Sequence, residues 1–236
     1  MSVPARLQQT HMSAERHARI TLFADQRQPD LTVCLEQVHK PHNVSAIVRS
    51  CDAVGVHTVH AVSNDEHLMR KDTAMGSEDW VFMQRHTSIH AAVTVLHQQN
   101  MQVLVADLCE DAVDFRDIDY CQPTAIILGQ EKFGVTPEAL ALADKKILIP
   151  MVGMVQSLNV SVAAALVLYE AQRQRQLAGM YQRPQLSDSQ RQQLLFKGGF
   201  PRLYALCERK GISHPHINAA GELIADANWW QQVQYA

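Results

Sequence analysis

The sequence predicts an α/β fold with a mostly parallel sheet, and two observations lead to this prediction. Short runs rich in β-branched residues alternate along the chain with amphipathic helical patterns, which is the order typical of βα units. These runs are apolar throughout, as expected for strands that helices cover on both faces. The chain has 236 residues, 47% of them hydrophobic, which is enough for one sizeable core with appendages.

The N-terminal elements are predicted to be a helix and the first strand. Ser13 is suited to an N-cap, and residues 13–24 predict a short helix behind it. The Gln-Pro-Asp sequence at residues 28–30 then interrupts the pattern, and residues 31–38 predict the first strand. The apolar contacts expected of the helix are Ile20, Leu22 and Phe23.

A second helix is predicted for residues 43–54, with Asn43 as its N-cap and Gly55 as its stop. At 100° per residue, Arg49 points roughly opposite the apolar face and is expected to be exposed. By itself, this pattern describes an ordinary capped helix with a solvated arginine. The apolar face is defined by five side chains at helical spacing: Val44, Ile47, Val48, Cys51 and Val54.

The rest of the chain continues the alternation. After a polar, irregular stretch at residues 65–79, the composition stays typical of an α/β core until residue 176, where it becomes rich in Gln and Arg. Strands are predicted at residues 57–63, 81–84, 102–108, 124–128 and 146–149. Helices are predicted at residues 88–99, 137–143, 160–176, 187–197 and 201–210. The tail is expected to pack through Leu223, Ile224, Trp229 and Trp230.

The composition restricts the class of protein. No run of about 18 apolar residues occurs, and the N-terminus lacks the apolar segment of a signal peptide, so a cytoplasmic protein without a membrane span is expected. The five cysteines and twelve histidines show no metal-ligand spacing. Buried free thiols and no bound metal are therefore expected.

The net charge of −3 conceals an asymmetry. Residues 171–211 contain eight basic and two acidic residues, whereas residues 101–150 contain nine acidic and four basic residues. A basic block in a mildly acidic protein indicates a polyanionic partner, although a solvated helix face has the same composition. Aromatic side chains that bases can stack on favour a nucleic acid: Tyr181, Phe196, Phe200, Tyr204, Trp229 and Trp230.

Two segments with polar residues at the ends of predicted elements are candidates for chemistry. In residues 40–50, Asn43 and Arg49 lie six positions apart on one helix. In residues 149–161, Ser157 and Asn159 precede a long apolar helix, and a helix N-terminus suits an anion or another polar ligand. Each segment by itself is also an ordinary helix start.

A third candidate segment, residues 127–134, runs from a strand into the turn Gly-Gln-Glu-Lys-Phe-Gly. Gly129 permits close backbone approach, and Glu131 lies in the loop. The segment matches neither the phosphate-binding loop nor the dinucleotide-binding fingerprint. Alone, it describes a strand followed by a turn.

Together, the patterns N-x(5)-R, G-x-E-x-x-G and I-P-M…S-L-N-x-S, in this order, resemble the three motifs of the SPOUT methyltransferases, and within them the SpoU/TrmH family of RNA 2′-O-methyltransferases. Many relatives have Asn where this chain has Gln130. The resemblance implies a mostly parallel sheet with a deep C-terminal trefoil knot, which pattern alone would not suggest because knots are nearly absent from proteins. It implies a helical extension (1–29), a knotted core (30–176) and a basic, RNA-binding helical extension (177–236).

The resemblance also implies that S-adenosylmethionine binds loops at residues 105–108, 128–134 and 149–158. Arg49 would position the ribose hydroxyl and stabilise negative charge, since a guanidinium is not normally deprotonated in proteins. The implied catalytic residues are Arg49, Asn43, Glu131, Ser157 and Asn159. The implied cofactor contacts are Ala106, Leu128, Gly129, Ile149, Met151 and Leu158. The expected RNA-binding residues are Arg173, Arg175, Arg202 and Lys210.

The implied substrate is tRNA, methylated at guanosine 18 of the D-loop by a homodimer whose site is completed across the interface. A ribosomal RNA 2′-O-methyltransferase shares these motifs, but such relatives often have a separate N-terminal RNA-binding domain, which the short N-terminus here disfavours. A non-catalytic RNA-binding protein of the same fold is disfavoured by the presence of all five implied catalytic residues.

Overall fold

The predicted α/β architecture is confirmed by a computed structural model, which describes residues 10–63, 79–107, 109, 111–130 and 132–234. Within these residues, seven strands form one sheet in which every pair is parallel. The strands are β1 (Leu31–Glu36), β2 (Thr58–Val62), β3 (Phe82–His86), β4 (Gln102–Ala106), β5 (Val113–Asp114), β6 (Thr124–Leu128) and β7 (Lys145–Leu148). Their order across the sheet is β3-β2-β1-β6-β4-β7-β5.

Helices connect β1 to β2, β3 to β4 and β6 to β7, and further elements precede and follow the sheet. The helices are α1 (Ala14–Asp25), α2 (Pro41–Ala53), α3 (Ile89–Gln98), α4 (Pro137–Leu142), α5 (Val160–Leu177), α6 (Asp188–Gly199), α7 (Pro201–Lys210) and α8 (Ala227–Gln234). An antiparallel pair of two-residue strands, β8 (His216–Ile217) and β9 (Leu223–Ile224), lies between α7 and α8. The two-residue strands β5, β8 and β9 were not anticipated from the sequence, because they have too few residues to show a period. Helix α8 was not anticipated either.

The central strands β1 and β6 explain why apolar runs predict a parallel sheet. Every residue of both strands is buried, and the two strands pair in register from Leu31 with Thr124 to Leu35 with Leu128. The apolar side chains on one face of these strands belong to one core cluster, and those on the other face belong to a second cluster. The five apolar residues predicted on one face of α2 are all buried, and Gly55, at φ +85°, follows the end of that helix.

Two expectations about helices were wrong. Helix α2 begins at Pro41 rather than Asn43, and its N-cap is Lys40, which makes no capping side-chain bond. Proline is favoured at the first helical position because its φ is already helical and it lacks the N–H that would stay unbonded there. In α1, Ser13 is the N-cap as predicted, but Leu22 is exposed rather than buried.

The chain divides into two compact units. Residues 28–181 form the unit that contains the sheet. The described parts of residues 1–27 and 182–236 form the other unit, where the Met12 amide donates to the Gly221 carbonyl (3.1 Å) and the Arg16 Nε donates to the Gly198 carbonyl (2.8 Å). The functional division at residues 29 and 176 stays a prediction.

Two implied properties of the whole chain concern topology and membranes. The strand order, with β7 between β4 and β5, fits the implied trefoil knot, which stays a prediction. In the described ranges, no helix combines the length and the apolarity needed to cross a bilayer.

Candidate functional site

A cavity of about 290 Å³ lies at the carboxyl ends of β4, β6 and β7. Parallel sheets place ligands at this edge, where loops rather than strand side chains supply the contacts. All six residues expected to contact the cofactor line this cavity: Ala106, Leu128, Gly129, Ile149, Met151 and Leu158. They come from the ends of strands and from the loops that follow, so the fold brings together segments that are up to about fifty residues apart in the chain.

The cavity is lined by apolar residues and by a few polar side chains. Helix α5 contributes the apolar residues Val160, Ala163 and Val167, whereas the strand ends and loops contribute both apolar and polar residues. A mostly apolar lining with a few polar groups suits an adenosine-type ligand. The polar lining residues are Asp107, Gln130, Lys132, Gln156 and Ser157, of which only Ser157 was predicted as a site residue.

The loop after β6 is closed on itself by backbone hydrogen bonds. The Gln130 amide donates to the Gly134 carbonyl at 2.9 Å, and the Gly134 amide donates back at 3.0 Å. Gly134 has φ +67°, a left-handed conformation that glycine adopts without steric penalty. The Gln130 side-chain amide also donates to Gln37 Oε1 at 2.6 Å, which ties the loop to the segment after β1. Glu131 lies outside the described residues.

Gly129 lies where this loop folds back against itself. A Cβ atom added there would lie 2.3 Å from the carbonyl carbon and oxygen of Gly134 and 2.4 Å from the Val135 nitrogen. Backbone atoms cannot move aside as a flexible side chain can, so the loop accepts no larger residue at this position. The sequence indicated a close backbone approach here, and in the structure the backbone that approaches Gly129 is that of Gly134 and Val135.

Replacing Gly129 by alanine is expected to weaken S-adenosylmethionine binding at least tenfold, because the added methyl group forces apart the loop that lines the cavity. Isothermal titration calorimetry measures this change. Gly153→Ala is the matched control, since a Cβ atom there meets nothing within 4 Å. Equal affinities for the two variants would contradict the assignment of this loop.

The loop after β4 is anchored to β7 by an ion pair. Lys146 Nζ donates to both carboxylate oxygens of Asp111, at 2.8 and 3.1 Å. The hydrogen bond with Lys146 holds the pKa of the Asp111 carboxyl below its usual range, and a hydrogen bond from the Cys109 thiol adds to this effect. The pair keeps the loop beside Ala106 at the cavity, although residue 108 of the predicted loop lies outside the described residues.

Two of the predicted catalytic residues, Asn43 and Asn159, contact each other. Asn159 is the N-cap of α5: its Oδ1 accepts from the Ser161 amide (2.8 Å) and hydroxyl (2.6 Å). Its Nδ2 donates to Asn43 Oδ1 at 3.2 Å. Asn43 is buried in the first turn of α2, so this bond joins the starts of α2 and α5 across 116 positions of the chain.

The other two described catalytic candidates, Arg49 and Ser157, are both exposed. Ser157 lines the cavity, two residues before the Asn159 cap, and is not itself the cap. Arg49 lies six residues after Asn43 on α2, about 9 Å along the helix axis, and does not line the cavity. Within one chain, Ser157 therefore lines the cavity, and Asn159, two residues later, contacts Asn43. Arg49 lies on the protein surface.

The expectation that Arg175 binds RNA is wrong. Its side chain is completely buried in the sheet unit. Its guanidinium donates to Asp30 Oδ1 (2.5 Å), to Gln28 Oε1 (3.1 Å) and to the backbone carbonyls of Tyr120, Asp30 and Gln122. A guanidinium has five N–H donors, and internal acceptors occupy them here. A basic residue in an Arg-rich stretch was thus mistaken for a surface charge.

The remaining RNA-binding candidates differ in exposure. Arg173 is exposed and paired with Glu170 at 2.7 Å, and Arg202 is exposed on α7. Lys210, at the end of α7, is half-buried; its Nζ is enclosed by protein and makes no hydrogen bond. Lys210 therefore does not expose its charged group at the surface. Of the four residues predicted to bind RNA, Arg173 and Arg202 are the two that are exposed for phosphate contact.

Sequence reasoning missed the lining residues Asp107, Gln130, Lys132 and Gln156, and it missed Gln37, which accepts a hydrogen bond from Gln130. Gln37 has φ +53°, an uncommon value for a non-glycine residue, but nothing in a single sequence signals it.

Among the described residues, no group of three or more His, Cys, Asp or Glu side chains is arranged to hold a metal ion.

Comparisons with known proteins agree with this geometry. Residues 30–169 match the SpoU rRNA Methylase family, and residues 173–226 match the SpoU, rRNA methylase, C-terminal family. The chain is 57% identical to the tRNA (guanosine(18)-2'-O)-methyltransferase of Escherichia coli K12 over 95% of its own length and 100% of that protein.

Solved structures give the same result. The crystal structure of the A. aeolicus TrmH/SpoU tRNA modifying enzyme superposes with a TM-score of 0.74 at 41% identity, covering 79% of this chain and 96% of that one. The SpoU methyltransferase AviRb from Streptomyces viridochromogenes, in complex with AdoMet, has a TM-score of 0.59 at 28% identity, covering 64% of this chain and 62% of that one.

Proposed function

Because the chain belongs to the SpoU rRNA Methylase family, we propose that it transfers a methyl group from S-adenosylmethionine to the ribose 2′-oxygen of guanosine 18 in the D-loop of tRNA. The observation that supports this most strongly is the similarity along the whole chain, including the C-terminal unit, to an enzyme named for that reaction. A ribosomal RNA substrate, suggested by the family's description, is the second candidate.

The residues present at the cavity fit S-adenosylmethionine. Ala106, Leu128 and Ile149 end or follow three adjacent strands, and the loops beyond them offer backbone donors and acceptors for an adenosine. Gly129 lets the loop after β6 fold closely against the backbone of Gly134 and Val135. When bound, the cofactor supplies a methyl group on a positively charged sulfur, which needs no metal for transfer.

Arg49 is the residue proposed to act on the ribose hydroxyl. A guanidinium remains charged at any ordinary pH, so its contribution is to orient the hydroxyl and to stabilise the negative charge that develops on the oxygen. Asn43 is proposed to orient this part of α2 through its bond to Asn159. Ser157, exposed at the cavity, is proposed to hold a substrate phosphate or hydroxyl, and Glu131 to orient Arg49.

A homodimer would supply Arg49 to the cavity of the partner chain. Helix α5 supports this proposal, because Ala164, Val167, Leu168 and Ala171 bury one face whereas the other exposes an apolar stripe. The stripe residues are Val162, Leu166 and Tyr169, 47%, 41% and 51% exposed. Positions i, i+4 and i+7 lie on one side of a helix, and an apolar side facing outwards suits burial against a second copy.

Replacing Leu166 by lysine is expected to convert the dimer to single chains and to abolish methyl transfer, because the charge would be buried in an apolar interface. Light scattering measures the mass, and Val113→Lys, an exposed apolar position on the edge strand β5, is the control. A dimer mass for the Leu166 variant would refute this interface.

The reaction itself is tested by incubating the protein with total tRNA and labelled S-adenosylmethionine and then mapping the modified nucleoside. We expect 2′-O-methylguanosine at position 18 of tRNA. In the cell, we expect the enzyme to act in the cytoplasm, where tRNA is processed. Exposed Arg173 and Arg202 would contact phosphates, so tRNA affinity should fall steeply with salt. Labelling of ribosomal RNA but not tRNA would reject the proposed substrate in favour of the second candidate.

A further inference from the structure

Phe133 is an exposed aromatic side chain on the loop that borders the cavity. Its side chain is 72% exposed, whereas every other phenylalanine and tryptophan among the described residues is buried or half-buried. Gln130, Lys132 and Gly134 of the same loop line the cavity. One exposed apolar residue is ordinary in a protein. Phe133 differs from an ordinary exposed apolar residue because its loop lines the cavity.

The loop presents Phe133 on a rigid support. The reciprocal Gln130 and Gly134 backbone bonds close a turn of only five residues with Phe133 inside it. The hydrogen bond from Gln130 to Gln37 holds this turn to the segment after β1, and Gly129 packs closely against Gly134 and Val135. A side chain on a backbone turn that is already ordered loses less conformational entropy when a ligand binds than one on an unordered loop.

Lys132 places a positive charge against the same ring. Its Nζ lies 5.0 Å from the centroid of the Phe133 ring, within the range of a cation–π interaction. An exposed aromatic face with a neighbouring cation matches single-stranded nucleic acid, whose bases stack and whose phosphates are negative. An apolar protein interface matches less well, because it would remove the ammonium group from water.

We propose that Phe133 is a stacking platform for an unpaired base of the RNA loop that contains the target ribose, with Lys132 contacting an adjacent phosphate. This proposal rests on the proposed function and deepens it, since it names a residue that positions the substrate beside the methyl donor. Phe133 is a positioning residue, because it holds the base and does not act on the ribose oxygen.

Two variants test the proposal against simple apolar contact. Phe133→Leu keeps an apolar side chain of similar size without a π face, and Phe133→Trp keeps the π face. The dissociation constant for end-labelled tRNA is measured by fluorescence anisotropy, that for S-adenosylmethionine by calorimetry, and the mass by light scattering. We expect the leucine variant to bind tRNA roughly tenfold more weakly and the tryptophan variant to bind it as the wild type does.

The cofactor affinity and the mass should be unchanged in both variants. Equal tRNA affinity for the leucine variant and the wild type would overturn the proposal, as would a fall to the mass of a single chain, which would assign Phe133 to a protein interface. Since binding is measured without turnover, the proposed function fails separately, by the absence of a methyl group at guanosine 18 when the wild-type enzyme is mapped.

Discussion

Replacing Arg175 by methionine is expected to lower the free energy of unfolding by about 3–5 kcal/mol, the range for removing one partner of a buried ion pair. The substitution leaves Asp30 and the carbonyl oxygens of Tyr120 and Gln122 without their donor. These acceptors lie at the start of β1 and in the segment before β6, so Arg175 holds the end of α5 to the loops at that edge of the sheet. Methionine fills similar volume and isolates the loss of hydrogen bonds from the loss of packing.

Arg173→Met is the matched control for this experiment. Arg173 lies on the same helix but is exposed, and its pair with Glu170 is of the surface type, worth at most about 1 kcal/mol. Urea unfolding followed by circular dichroism measures both variants against the wild type. If the two substitutions lowered stability equally, the buried network would not have the role assigned to it.

Replacing Arg49 by alanine is expected to reduce kcat by about a thousandfold or more, the effect of removing a group that stabilises charge in the transition state. The dissociation constant for S-adenosylmethionine should stay within twofold, because Arg49 does not line the cavity. Arg49→Lys should recover only part of the rate, since lysine retains the charge but not the planar pair of donors. Near-normal turnover of the alanine variant in a radiolabel transfer assay would refute the mechanism.

Mixing two inactive variants would show whether one site uses two chains. In a heterodimer of Arg49→Ala with Gly129→Ala, a site shared between chains combines the intact Arg49 of one chain with the intact cavity of the other. About half of the wild-type activity should then return in the mixed species. If each chain instead had a complete site, every site would contain one defect and the mixture would stay inactive.

The predictions that succeeded from sequence depended on local or periodic features. The β-branched runs located the strands, the helical spacing from Val44 to Val54 identified the buried face of α2, and the Ser-x-Asn pair located the start of α5. The six cofactor contacts implied by the family resemblance all line the cavity, and their role as contacts stays a prediction. Asn43 was misplaced as a cap because Pro41 offered a second start for the same helix.

The sequence by itself therefore determined the α/β class and the order of its main elements. These follow from periodicity, capping and spacing, which act between residues close in the chain. The segments that form the cavity were implied by the resemblance to the SPOUT methyltransferases. Only the tertiary structure decided which charged side chains are buried and which are exposed. Arg173 and Arg175 are two residues apart with similar neighbours, yet one is exposed and the other is buried among five acceptors. The physical reason is that burial of a guanidinium depends on acceptors from distant parts of the chain, which fold onto it only in three dimensions.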